Sequence, residues 1–350
     1  MPESVHDVNI ESTVPLMTPD DLIAGLSMTT KASETVMKGR AQISDIIQGN
    51  DTRLIVIVGP CAIHDEQACL EYAKQLGHLS DQLKDRLLIV MRVYFEKPRT
   101  TLGWKGLIYD PQLDGTFDIE SGLRRARGFL LKLGEIGIPA ATEFLDPIVP
   151  QYLADLVSWA AIGARTVESQ IHRQMASGLS MPVGLKNSTD GNSQNAVDAL
   201  IATQSPHAFF GIDRSGSTSA VLTRGNPDGH VILRGGSNGA NFEAQSISKA
   251  QTQLMNAGLA PNIMIDCSHA NSEKDYRRQA TAFKDALNQR LNGNKGIIGC
   301  MLESHLNPGN QALGSDPSIL QYGVSITDAC IGWQETESLL SEASELLSNR

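Results

Sequence analysis

Between Val90 and Thr101 the chain reads VMRVYFEKPRTT, which gathers Arg92, Lys97 and Arg99 into one short stretch. The chain as a whole carries a formal net charge of -10, so this concentration of cations must serve something small and anionic. Arg165, Lys186 and Arg234 recur further along, beside glycine or at the ends of short apolar runs. Guanidinium forks pair in bidentate fashion with phosphate or carboxylate, and lysine supplies a point charge. The mixture therefore suits a substrate that carries both groups. A second set, Cys61, His269, Glu303 and Asp328, is chemically different. A thiolate, an imidazole and two carboxylates suit a divalent transition metal with open positions, Mn2+, Fe2+, Co2+ or Zn2+ rather than Mg2+ or Ca2+. These donors are scattered along the chain, so their spacing alone is a weak signal.

The elements that must position them give that signal weight. Short apolar runs occur at 54–61, 87–93, 139–145, 161–165, 182–187, 230–236, 262–269 and 296–304, each the length of a buried strand. Stretches with helical periodicity lie between most of them, at 65–83, 120–136, 151–159, 192–203 and 246–257. A βα unit repeated in this way favours a closed (β/α)8 TIM barrel over an open sheet. At or just before their carboxyl ends stand, in turn, Cys61, Arg92, Glu143, Arg165, Lys186, Arg234, His269 and Glu303. Barrels of this kind build their active sites at the carboxyl ends of the strands, where the loops converge. Two segments fall outside the repeat. Residues 207–224 read as an inserted β-hairpin around the turn formers Asp213 to Gly216. Residues 1–48 read as an N-terminal arm followed by a helix from about Thr35 to Gln48, leaving 49–350 for the catalytic barrel.

Composition excludes several function classes. An acidic chain with no long basic run is poorly suited to a phosphate backbone, so nucleic acid is not an expected partner. Neither a secretory nor a transit pattern opens the chain, and no apolar run approaches the roughly 18 residues of a membrane helix. No membrane role and a cytoplasmic location are expected. The cysteines, Cys61, Cys69, Cys267, Cys300 and Cys330, form an odd set without CxxC spacing, which fits a reducing compartment.

The stretches GPCAIHD, MRVYFEKPRTTLGWKGLIYDP, ATEFLDP, IGARTVESQIHRQMASGLSMPVGLKNSTDG, HVILRGG, DCSHANSEKDYRRQ and YGVSITDACIGW resemble the class I 3-deoxy-D-arabino-heptulosonate 7-phosphate (DAHP) synthases from about residue 8 to 335. The resemblance implies a transferase that condenses phosphoenolpyruvate with erythrose 4-phosphate and water, releasing phosphate, as the first step of the shikimate pathway. It implies that Arg92, Lys97, Glu143, Arg165, Lys186 and Arg234 bind phosphoenolpyruvate. Lys97, Pro98, Arg99 and Thr100 are implied to bind erythrose 4-phosphate, and Cys61, His269, Glu303 and Asp328 to hold the metal. Lys97, Cys61 and His269 would be the catalytic residues, with Lys97 as proton donor, its pKa lowered by neighbouring cations. Tyr109 departs from the asparagine or serine of the family pattern. Cys267 and Ser268 read as orienting His269, and His64 and His172 as structural. A synthase for a five-carbon phosphosugar would share the barrel, but the KPRTTLGWKGL loop fits the four-carbon sugar. A non-catalytic barrel would have lost a ligand or an anchor, and none is lost.

The same resemblance implies feedback control by an aromatic amino acid. Its pocket would be formed by Pro150, Gln151, Leu179, Ser180, Phe209, Gly211 and Val221, with Asp7 from the arm of a neighbouring subunit in a homodimer or homotetramer. Phenylalanine-sensitive members carry serine at the position of Gly211 and tyrosine-sensitive members carry glycine, so tyrosine is the expected effector.

Overall fold

A computed structural model describes residues 5–314 and 316–349. Residues 1–4, 315 and 350, which fall in the expected arm and barrel ranges, lie outside the described residues. Strands β1 (Leu54–Gly59), β2 (Leu87–Arg92), β3 (Ala140–Glu143), β4 (Trp159–Ile162), β5 (Val183–Lys186), β8 (Gly229–Leu233), β9 (Ile263–Asp266) and β10 (Ile297–Glu303) pair in parallel as a closed barrel in the order β1-β10-β9-β8-β5-β4-β3-β2. Strands β6 (Ala208–Ile212) and β7 (Thr218–Leu222) form a separate antiparallel pair. The expected barrel and hairpin are therefore both present.

The helices are α1 (Pro19–Gly25), α2 (Thr30–Gln48), α3 (Glu66–Leu83), α4 (Ile119–Ile136), α5 (Pro150–Leu153), α6 (Gln170–Gly178), α7 (Gln194–Thr203), α8 (Ala244–Asn256), α9 (Gln279–Leu291) and α10 (Trp333–Ser348). One expected boundary is corrected. The helix read over 151–159 ends as α5 and a 3-10 turn, and Trp159 already opens β4, which stops at Ile162. The run LVSWAAI is apolar at nearly every position, so periodicity could not divide a helix end from a buried strand. The sequence reading also assigned no helix to α1, α6, α9 or α10.

Period-two alternation explains how a dry barrel carries a charged mouth. Ile55 and Ile57 of β1, Leu88 and Val90 of β2, Ala141 of β3, Trp159 and Ala161 of β4, Ile232 of β8, Met264 of β9 and Met301 of β10 form one buried cluster inside the barrel. Their neighbours Leu54, Val56, Ile89 and Ile265 belong to the other cluster, packed under the helices. Ile43, Ile46 and Ile47 of α2 complete the inner cluster and stopper one end of the barrel. Continuing the inward parity by one step reaches Arg92, Glu143, Arg234, Asp266 and Glu303, and Lys186 ends β5 beside them. The same alternation that fills the interior thus rings its carboxyl end with charge.

A buried imidazole sits on the inward face lower down. His230 of β8 is fully buried and its Nε2 accepts from Trp159 Nε1 at 3.3 Å. Burial holds its pKa down to about 4, whereas an unfolded imidazole titrates near 6.5. The unfolded chain therefore binds the extra proton, and stability from this group is present above the unfolded value and lost as pH falls toward the folded one. Between pH 7 and pH 5 this amounts to about 2 kcal/mol. His230→Gln keeps an acceptor for Trp159 but does not titrate, so its thermal midpoint should fall less across that interval than the wild type's. Parallel acid profiles for the two proteins would remove His230 as the cause.

Candidate active site

The loops after the strands bring the two sets of expected residues to one mouth. Arg92 is buried; its guanidinium donates to the carbonyls of Pro60 and Cys61, each at 3.2 Å, and to Glu303 Oε1 at 2.9 Å. It also lies 3.6 Å from the centre of the Tyr94 ring. Lys97 Nζ and Lys186 Nζ stand 5.7 and 5.8 Å from the same centre. A π face is a good floor for several cations, since its quadrupole attracts each without pairing any of them. Lys186 Nζ approaches Asp266 Oδ2 at 3.2 Å and Glu143 Oε2 at 3.7 Å. Gly163 keeps this corner open, because a Cβ there would lie 2.3 Å from Glu143 Oε1.

Cys61, Glu303 and Asp328 present ligand atoms that all lie within 4.8 Å of one another. His269 joins them through its Nε2, 3.9 Å from Glu303 Oε1. Its Nδ1 faces Ser268 Oγ at 2.9 Å and Asp266 Oδ2 at 3.0 Å. A carboxylate behind Nδ1 fixes the proton there and leaves the Nε2 lone pair for a metal. His269 holds this pose with φ at 57°, an uncommon backbone state for a non-glycine residue. Sulfur, nitrogen and two carboxylates converging in this way fit a divalent transition ion.

Charge follows the same grouping. Burial, with Glu303 alongside, pushes the Cys61 thiol up to about 11 against the pull of Lys97. Burial would raise Asp266, but His269 and Lys186 hold it well below the usual carboxylate range. Asp328 is likewise raised by burial and brought down further by Lys97, His269 and Arg92. Lys97 requires a correction. Burial and Arg92 do depress it, yet Cys61, Glu303 and Asp328 outweigh them and hold it above its ordinary value. Its Nζ is 3.1 Å from Cys61 Sγ, so the donor set is its nearer and stronger neighbour.

The remaining expected residues divide by depth. Arg234 is half-buried near Asp266, Arg165 and Glu143. Arg165 is exposed and its Nη2 donates to Thr100 Oγ1 at 3.1 Å, which ties one expected phosphoenolpyruvate residue to the phosphosugar run. Arg99 and Thr100 are exposed and Pro98 half-buried. Arg99 lines a cavity of about 490 Å³ with Gly103, Trp104, Asn310, Gln311 and Thr327. Sequence reasoning missed Asp266, Tyr94 and Glu96. Asp266 ends β9 on the inward face, so the strand-end rule that selected Arg92 would have selected it, had the strand been ended three residues before His269.

The hairpin brings part of the expected effector pocket onto one face. Phe209 pairs with Val221 and Gly211 with Ser219, and these half-buried positions alternate with exposed Phe210 and Ala220. Ser177 of α6 shares a 2.7 Å hydrogen bond with Thr223, which sets Leu179 and Ser180 near the hairpin's base. At its tip, Arg214 pairs with Asp20 of α1 at 2.8 Å. Tyr152 of α5 donates to the Met17 carbonyl at 2.9 Å, so α5, which begins with Pro150 and Gln151, meets the same segment. Asp7 is exposed with φ at 57° on the stretch before α1.

Residues 28–341 match the DAHP synthetase I family. The chain is 50% identical over 348 residues to the Tyr-sensitive phospho-2-dehydro-3-deoxyheptonate aldolase of Escherichia coli strain K12, across 99% of this chain and 98% of that one. It is 51% identical over 344 residues to the Phe-sensitive enzyme of the same strain, across 98% of each. The solved structure of the phospho-2-dehydro-3-deoxyheptonate aldolase from Francisella tularensis superposes with a TM-score of 0.95 at 47% identity, covering 97% of this chain and 99% of that one.

Proposed function

The chain belongs to the DAHP synthetase I family, and we propose a division of that enzyme's work among the residues at the barrel mouth. As a family member it is a DAHP synthase: it condenses phosphoenolpyruvate with erythrose 4-phosphate and water, giving DAHP and phosphate, at the first step of aromatic biosynthesis. The observation that carries the assignment of roles is the contact of Lys97 Nζ with Cys61 Sγ at 3.1 Å. It puts a buried member of the cationic set against the first member of the donor set.

In this reading Arg92, Lys186 and Arg234, with Glu143 beside Lys186, take the phosphate and carboxylate of phosphoenolpyruvate, and Arg165 joins them from the rim. Pro98, Arg99 and Thr100 take the phosphate of erythrose 4-phosphate. Cys61, His269, Glu303 and Asp328 would hold a divalent ion, for which we favour Mn2+, Fe2+, Co2+ or Zn2+. Such an ion supplies Lewis acidity at the aldehyde oxygen. Lys97, kept protonated by its anionic neighbours, holds a proton beside the oxygen that becomes an alkoxide when C3 of phosphoenolpyruvate attacks. Fixed cations also hold two anionic substrates together against their repulsion, in a site that needs little reorganisation.

We read residues 1–48 as arm and helix, 49–350 as the catalytic barrel and 207–224 as its regulatory hairpin. A homodimer or homotetramer is supported by the exposed aliphatics Val5, Val8, Ile10 and Val14 on the arm, which a neighbouring subunit would cover. Among the described residues no helix is long and apolar enough to cross a membrane. The free cysteines support a cytoplasmic setting.

Tyrosine is the effector we favour. Identity does not choose between the Tyr-sensitive and Phe-sensitive relatives, and the reading rests on Gly211. A Cβ there would lie 2.8 Å from Val221 Cγ2, closer than side chains approach, so serine at this position would move the inward face of the hairpin. Gly211 puts no side chain on that face, and we read the room so kept beside the hairpin as serving a phenol hydroxyl. Initial rates at saturating metal should fall with tyrosine and far less with phenylalanine or tryptophan. Gly211→Ser should shift the preference toward phenylalanine, and Ser180→Phe should fill the pocket and relieve inhibition while turnover persists. Strong inhibition by phenylalanine alone would overturn the argument.

A further inference from the structure

Glu96 is a carboxyl with 1% exposure, next in sequence to Lys97, and the roles above leave it without work. Its Oε1 accepts from the Asp146 N–H at 3.0 Å and from the Tyr109 hydroxyl at 3.2 Å, and its Oε2 accepts from the Leu145 N–H at 3.2 Å. A buried carboxyl facing three donors from two different loops is a joint between them. One loop is its own: Lys97 N–H donates to the Lys105 carbonyl at 2.9 Å and Ile108 N–H to the Phe95 carbonyl at 3.3 Å. This closes the run from Phe95 to Tyr109 on itself. The other loop, Leu145 to Val149, leads directly into Pro150 and Gln151 of α5. It is held from behind as well, since His172 in the first turns of α6 has its Nε2 2.8 Å from the Leu145 carbonyl. Helix α6 ends at Gly178 and hands the chain to Leu179 and Ser180. Two parts of the expected effector pocket are therefore tied to Leu145 and Asp146, α5 by direct continuation of the chain and the segment after α6 through the other end of that helix, and Glu96 grips those residues from the substrate side.

We infer that Glu96 is a positioning residue, a clamp that sets the Lys97–Thr100 run for the phosphosugar and through which the effector pocket acts on that run. The clamp's second role rests on the effector reading given above; its first does not.

The clamp is sensitive to protonation. Burial pushes the Glu96 carboxyl up to about 8, against the N–H groups of Asp146 and Leu145, while the charge of Asp146 pushes it further up and the Tyr109 hydroxyl holds it down. Tyr109 and Asp146 are the titratable groups that face it; His172 lies one residue behind, and Lys97 turns away to Cys61. As a carboxylate Glu96 accepts from all three donors. With a proton on one oxygen it gives up one of those acceptances, and the clamp loosens. The grip should thus tighten as pH rises through about 8.

The test is KM for each substrate from neutral to alkaline pH, in the metal-loaded full chain. In the wild type, KM for erythrose 4-phosphate should fall through that interval while KM for phosphoenolpyruvate does not share the step. Glu96→Gln, nearly isosteric and unable to ionise, should stay at the wild type's neutral-pH value throughout. Tyr109→Phe removes a donor that favours the carboxylate, so its step should move to higher pH. Above pH 8, where the wild type carries the carboxylate, Glu96→Ala should raise KM for erythrose 4-phosphate about tenfold with little change for phosphoenolpyruvate, the loss expected for a hydrogen-bonded charge. A step that survives in Glu96→Gln, or equal effects on both substrates, overturns the clamp. For its second role, tyrosine binding measured by calorimetry above pH 8, where the wild type carries the carboxylate, should be retained in Glu96→Gln while its inhibition weakens about fivefold or more, within the usual size of a coupling energy. Tyrosine that inhibits Glu96→Gln as fully as the wild type at that pH overturns the joint. If the wild type binds no aromatic amino acid, the effector reading and the joint fail together, and the pH profiles still decide the positioning role.

Discussion

Stripping divalent metal with a chelator is expected to abolish turnover, and Mn2+, Fe2+ or Co2+ to restore it. The expectation follows from the donors of Cys61, Glu303 and Asp328 lying within 4.8 Å of one another. His269 is aimed at the group by Asp266 behind its Nδ1. A sharper form of the test is Cys61→Ser. A hydroxyl is a harder and weaker donor than a thiolate, and the change nearly preserves volume, so metal content should fall while the barrel stays folded. Even residues that only support metal ligands cost about 10- to 100-fold when lost, so removing a ligand itself should cost more than about 100-fold in affinity or rate. Metal content by elemental analysis, circular dichroism and phosphoenolpyruvate consumption with erythrose 4-phosphate read the three claims separately. A metal-free preparation with full turnover would sink the metal role, and Cys61→Ser with normal metal and rate would make Cys61 a bystander.

The barrel was legible because each of its strands is a short run of residues apolar on both faces, bounded by glycine, proline or charge. Buried parallel strands are written that way, and all of them appear where such runs stand. Boundaries were less legible where apolar residues continued through a helix end into a strand, as at Leu156 to Ile162. The mouth was legible through the charges that end those runs, since an ionised group rarely follows an apolar strand without something to meet. Contacts made where the chain turns off a strand were not. Asp266 lies three residues before His269 and behind it, and Tyr94 lies two residues after Arg92 and beneath it, but the bends that bring them together follow no period. Glu96 meets Leu145, nearly fifty residues away, a pairing that no local pattern announces. Lys97 shows the cost of counting cations without their distances: the Cys61 sulfur and the carboxylates of Glu303 and Asp328 hold its proton on, and only the folded chain puts them there.

Arg99→Ala and Arg234→Ala should impair opposite substrates. Arg99 is exposed at the edge of the cavity it shares with Trp104 and Gln311, while Arg234 sits half-buried in the barrel mouth, near Asp266 and Glu143. Neither position contributes to the hydrophobic clusters, so the truncations should leave the fold intact. Losing a charge-assisted phosphate contact costs a few kcal/mol, or roughly 10- to 1000-fold in the affected substrate. In Arg99→Ala the rise should fall on KM for erythrose 4-phosphate, and in Arg234→Ala on KM for phosphoenolpyruvate. Arg165 supplies the control, because its guanidinium bonds to Thr100 at 3.1 Å while also lying close to Arg234. Arg165→Ala should therefore raise both constants. Steady-state kinetics with each substrate varied at saturating levels of the other measures all three. If Arg99→Ala and Arg234→Ala shift both constants equally, the mouth is a single undivided anion site, and the assignment of two substrates to two depths fails with it.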